Sequence, residues 1–157
     1  MSGKRHSVVV VDRHPIILKG VTALLSTDDR LEILAASTAS EEIFGLPGNI
    51  TVDLVIVDLP KVGSDPLDFV ERINVRYPGI KILVYTHLED ERFFACMAAM
   101  GIAGCLLKTS PSLKFAEAVR CILEGGKYYA PISYDILSKK IDTELLRVKS
   151  VVDDLSS

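Results

Sequence analysis

Asp53-Leu-Val-Ile-Val-Asp58 is the stretch whose reading decides the fold. Four apolar residues, three of them β-branched, stand between two acids, and the run stops at Leu59-Pro60. A short unbroken apolar run reads as a strand buried on both faces, as in a parallel sheet. A carboxylate where such a strand ends lies at the carboxyl edge of the sheet, where open α/β folds place their ligands. Asp58 is therefore either an acid that begins a turn or a member of a site. The rest of the chain separates the two.

Upstream, Ser7 is followed by the four valines Val8 to Val11, a second buried strand, which ends at Asp12. Pro15 suits the first turn of a helix, and Ile16, Ile17, Val21, Leu24 and Leu25 form its apolar stripe up to Ser26. Leu31 to Ala36 is a strand with less β-branching, placed nearer the sheet edge. Ser40-Glu-Glu begins a short, weak helix closed by Gly45-Leu-Pro-Gly. Downstream, a helix runs from about Pro66 to Tyr77-Pro-Gly, and Ile80 to Tyr85 is a strand ending at Thr86. Glu89 to Met100 is a helix stopped by Gly101. Ala103 to Leu107 is a strand ending at Lys108, and the helix opened by Ser110-Pro111 ends at Gly125-Gly126. Five strands alternating with five helices predict an α/β fold, a five-stranded parallel sheet with helices on both faces. Tyr128-Tyr-Ala-Pro-Ile is a small apolar patch, and residues 138–157 read as a polar helical extension or linker.

The totals narrow the function classes. The 157 residues make one domain, and 48% hydrophobic content supplies an ample core. A net charge of −3 carries no basic nucleic-acid footprint. Cys96, Cys105 and Cys121 form no C-x-x-C pair, so neither a zinc knuckle nor a redox motif is supported. A polar start without a signal-type apolar region, and no apolar run of about 20 residues, predict a cytoplasmic protein with no membrane partner.

The strand ends then align. Asp12, Asp58, Thr86 and Lys108 each follow a predicted strand, and in a parallel sheet these ends share one edge. Two carboxylates, a hydroxyl and an ammonium converge there. In order and spacing, residues 7–126 resemble the CheY-like (flavodoxin-like) receiver domain of bacterial response regulators. The resemblance rests on Val8-Val-Val-Val-Asp12, on Asp53 to Leu59, on Ile82-Leu-Val-Tyr-Thr86 and on Gly101-Ile-Ala-Gly104-Cys-Leu-Leu-Lys108. Asp12-x-His14-Pro15 and Gly104-x-Leu-Leu-Lys108 look like the branch that carries LuxR/NarL-type DNA-binding domains.

The resemblance implies that Asp58 accepts a phosphoryl group from a sensor histidine kinase or a small donor. Asp12, Asp58 and the backbone carbonyl of Pro60 would then hold Mg²⁺, Lys108 would pair with the phosphoryl oxygens, and Thr86 would report the change. It further implies a homodimer that reaches DNA only through a C-terminal domain. Asp154-Leu-Ser-Ser157 resembles the opening of a LuxR-type helix-turn-helix, so residues 1–126 read as the receiver and 127–157 as a linker toward that domain.

The departures bear on the chemistry. The family's second acid after the first strand is Arg13 here, its Met-Pro and later Gly are Lys61, Val62 and Pro66, and its coupling aromatic is Cys105. A guanidinium about 4 Å from Asp58 gives roughly 4 kcal/mol of Coulomb attraction at an effective dielectric near 20, before desolvation. The expectation is a Mg²⁺ site of lowered affinity and phosphorylation that is weak or Mg²⁺-independent. His87, beside Thr86, reads as a solvated loop histidine or a phosphoryl contact. Cys105 reads as a small packing residue in preference to a redox sensor, and Phe93 to Met100 as core and dimer surface. The alternative function is a pseudo-receiver, a protein-interaction module whose Asp58 is never phosphorylated. An aspartyl phosphatase is disfavoured, because Pro60 stands where several such enzymes place their proton-transfer acid.

Overall fold

In the computed structural model, which describes residues 4–59 and 65–137, the apolar run before Asp58 is strand β3, Leu54–Val57, buried throughout. It lies between β1 (His6–Val11) and β4 (Lys81–Thr86), parallel to both. The other described strands are β2 (Leu31–Ser37), β5 (Gly104–Leu107) and β6 (Tyr128–Ala130). The sheet order is β2-β1-β3-β4-β5-β6, parallel at every pair. The less β-branched β2 stands at the edge, as its composition predicts.

Helices α1 (Pro15–Leu25) and α4 (Ser112–Leu123) cover one face of the sheet, and α2 (Pro66–Arg76) and α3 (Glu91–Ala99) the other. This two-sided cover explains why the central strands show no polar alternation. Val8, Val10, Leu54, Ile56, Leu83 and Leu106 point to Phe115, Val119 and Ile122 of α4 and Val21 of α1. The alternate residues Val9, Val11, Val55, Val57 and Val84 pack with Ile73 of α2 and Phe93 and Met97 of α3. The helix starts carry the expected signals. Pro15 and Pro66 occupy first turns, and the Asp65 and Asp90 side chains accept from the N–H groups of Leu67 (2.9 Å) and Arg92 (2.8 Å).

Two features differ from the predicted five-fold alternation. The segment Ser40–Gly45 is a 3-10 helix, since six residues give too few i→i+4 bonds to hold an α-helix. And the apolar patch after Gly126 is a sixth strand. Gly125, at φ 96°, turns the chain at the end of α4. The Tyr128 N–H then donates to Ala103 O at 3.0 Å, extending the sheet onto β5. Tyr129 is buried opposite Cys105, and its hydroxyl donates to Ile102 O at 2.5 Å. Leu137 is fully buried in the same core as Phe93 and Met97. The packed body thus continues past Gly126, through residues predicted to be linker. Residues 1–3, 60–64 and 138–157 lie outside the described residues.

Candidate functional site

β1 and β3 are adjacent in space but leave the sheet toward different neighbours, so the order reverses between them. The crevice at their carboxyl ends is where such folds bind ligands. Asp12 and Asp58 stand there, one residue past each strand, and their backbone N–H groups donate to Ser37 O and Val11 O, both at 3.1 Å. Lys108 follows β5, with its N–H on Thr86 O at 2.6 Å. The sheet hydrogen bonding runs on into these residues and fixes where their side chains start. Both Asp side chains are 3% exposed and that of Lys108 is 7% exposed.

Lys108 Nζ lies 2.8 Å from Asp12 Oδ2 and 3.2 Å from Asp58 Oδ1, bridging the two buried carboxylates. Arg13 turns inward, and its Nε is 3.1 Å from Asp58 Oδ2. The guanidinium thus stands beside the acid, at a distance within the one used for the charge estimate. Two fixed cations cancel two carboxylates. Thr86 is fully buried at the same edge. Its Oγ1 accepts from the Leu88 N–H at 3.0 Å, and among the described residues no hydrogen bond links it to Asp58.

One residue of the site carried no functional weight in the sequence. The N–H of His14 donates to Asp12 Oδ1 at 2.8 Å, and this tight turn folds the imidazole back over the pocket. Its Nδ1 lies 3.1 Å from Asp12 Oδ1, 3.6 Å from Asp58 Oδ2 and 3.1 Å from Lys108 Nζ. A carboxylate only accepts and an ammonium only donates. Nδ1 therefore serves one of the two at a time, donating to Asp12 or accepting from Lys108 according to the tautomer. The His87 ring stands edge-on to His14, centroids 6.0 Å apart, at the pocket mouth. The available signal was the Asp12-x-His14 spacing, which brings the third residue back to the acid.

Asp12, His14 and Asp58 offer three ligand atoms within 4.8 Å of one another, yet the set fits Mg²⁺ poorly. That ion takes near-octahedral oxygen ligands. Here the third ligand is a nitrogen, an ammonium bridges the acids, and a guanidinium stands against Asp58. Pro60 and Lys61 lie outside the described residues. Cys105 is fully buried, and burial, with Cys96 nearby, pushes its thiol well above the usual range. That direction disfavours thiolate chemistry at this position.

Comparison with known proteins agrees with the architecture. The response regulator receiver domain family matches residues 8–120, and the chain belongs to it. Response regulator GacA of Pseudomonas viridiflava is 26% identical over 124 residues, 79% of this chain and 58% of that protein. Transcriptional regulatory protein DegU of Brevibacillus brevis is 28% identical over 126 residues, 79% of this chain and 52% of its own length. Oxygen regulatory protein NreC of Staphylococcus epidermidis is 27% identical over 154 residues, 96% of this chain and 67% of that protein. These relatives support the LuxR/NarL-type branch read from the sequence. The chain spans little more than half the length of GacA and DegU. Among solved structures, the isolated receiver domain of RcsB from Salmonella enterica serovar Typhimurium, with phosphomimetic BeF3−, superposes with a TM-score of 0.74 at 20% identity. The match covers 85% of this chain and 99% of that one, and it shows the same fold. No helix among the described residues is long and apolar enough to cross a membrane.

Proposed function

We propose that the chain is the regulatory receiver domain of a DNA-binding transcriptional response regulator. Asp58 is its phosphoacceptor, Lys108 neutralises the phosphoryl oxygens, and Thr86 reads the modification. The observation that carries this reading is the Lys108 ammonium held between Asp12 and Asp58 at the sheet's switch point. Phosphoryl transfer needs little more from a protein than a placed nucleophile and charge at the equatorial oxygens. A sensor histidine kinase or a small acyl phosphate is the donor. Output runs through a homodimer and contacts with a helix-turn-helix domain beyond residue 157, and DNA is touched only by that domain. The half-length match to GacA and DegU supports such a further domain. The receiver proper extends at least to Leu137, which is buried with the core. Arg13 against Asp58 weakens the dependence on Mg²⁺.

Incubation with acetyl phosphate followed by intact-mass and peptide analysis tests this. A phosphate adduct on Asp58, absent from Asp58→Asn, supports it. The same Arg13 contact at 3.1 Å favours a second reading, a pseudo-receiver controlled by a partner. No adduct with any donor or cation, in a folded protein, selects that alternative.

A further inference from the structure

Three nitrogens surround Asp58: Arg13 Nε at 3.1 Å, Lys108 Nζ at 3.2 Å and His14 Nδ1 at 3.6 Å. None of them meets hydrogen-bonding geometry with its carboxylate. Both Asp58 oxygens are buried without a hydrogen-bond partner. Such atoms in a native structure call for an explanation. The carboxylate is ion-paired with these groups but not locked in directed hydrogen bonds, so the same nitrogens can turn to an incoming phosphoryl group and leave an Asp58 oxygen free to attack it. The three nitrogens come from two different sides, Arg13 and His14 from the end of β1 and Lys108 from the end of β5.

From this we infer that Arg13, His14 and Lys108 form a nitrogen cradle for the phosphoryl group, so that Asp58 is phosphorylated without a divalent cation and His14 touches the transferred group. The inference rests on the reading of Asp58 as phosphoacceptor and deepens it. In the step, an Asp58 Oδ attacks phosphorus as the bond from phosphorus to the donor's acyl oxygen breaks. Acetyl phosphate leaves as acetate, and no proton is gained or lost. Charge at the three equatorial oxygens, which a divalent ion would otherwise meet, falls to the cradle. A divalent ion would instead bring two positive charges to a pocket whose carboxylates are already balanced, and it would have to displace Lys108 from Asp12 at 2.8 Å. His14 is suited to the role because its main chain is fixed to Asp12 at 2.8 Å while its side chain, 46% exposed, stands where a donor arrives.

The test is the rate of the Asp58 adduct from acetyl phosphate, measured on the full chain in EDTA and again in Mg²⁺. The expected result is equal rates in the two, with His14→Ala slower by about tenfold in EDTA, below the loss seen for a fully buried oxyanion donor. Added imidazole should restore the His14→Ala rate, which a merely structural role would not allow. Arg13→Asp should convert the reaction to a Mg²⁺-dependent one. An adduct that forms only with Mg²⁺, or at the wild-type rate in a folded His14→Ala protein, overturns the cradle and leaves Asp58 as the acceptor. If no protein forms an adduct under either condition, the cradle and the phosphoacceptor reading both fall.

Discussion

At the scale of single residues, the pocket is a balance of buried charges. Lys108 is the member that bridges the two acids, holding Asp12 and Asp58 together from a 7% exposed side chain. Its removal leaves two buried carboxylates facing one guanidinium. Lys108→Ala should therefore destabilise the chain by about 3 kcal/mol, the scale of breaking a buried pair by deleting one partner. A urea unfolding curve checks this, and an unchanged midpoint would show that Lys108 is solvated. The sequence made Asp12, Asp58, Thr86 and Lys108 legible because strand ends in a parallel sheet share an edge. It could also mark Arg13 as out of place. It could not show that His14 belongs with them, since a histidine before a helix-opening proline has an ordinary local explanation. Only the turn back onto Asp12 brings the ring into the pocket.

At the scale of elements, β5 is the crowded strand. Gly104, its first residue, has no room for a side chain. A methyl there would meet Ile122 Cδ1 at 2.6 Å, Leu83 Cδ1 at 2.9 Å and the Tyr128 carbonyl oxygen at 2.9 Å. The two side-chain ends can rotate away, but the carbonyl belongs to β6 and cannot without disturbing the strand pair. Gly104→Ala should cost about 1–3 kcal/mol, as overpacking does. Hydrogen exchange should show the loss as faster exchange at Tyr128 and Ala130, and wild-type protection at those amides would refute it. The first five strands and the cap-marked helices were legible because apolar runs and capping chemistry leave local signatures. The sixth strand was not. Three residues are too few for a period, and what makes Tyr128–Ala130 a strand is a neighbour 24 positions earlier, Gly104.

For the whole molecule, the question is where the folded body stops. Tyr129 and Leu137 are buried in the core that also holds Phe93, Met97 and Cys105. A chain ended after Gly126 should unfold at distinctly lower urea than one ended after Leu137, because it loses a strand pairing and two large core side chains. Equal midpoints would return the boundary to the position that composition suggested. The sequence placed it at the Gly125-Gly126 pair because glycines and a polar tail are the usual marks of a linker; the buried Tyr129 hydroxyl bond to Ile102 O argues for the later position. This anchoring has a mechanical side. β6 pairs with β5 residue by residue, and β5 ends at the residue before the bridging lysine. β6 is thus tied to the same strand that aims Lys108. A load carried by β6 should therefore shift occupancy of the pocket, and by the reciprocity of linked equilibria occupancy should shift the load by the same free energy.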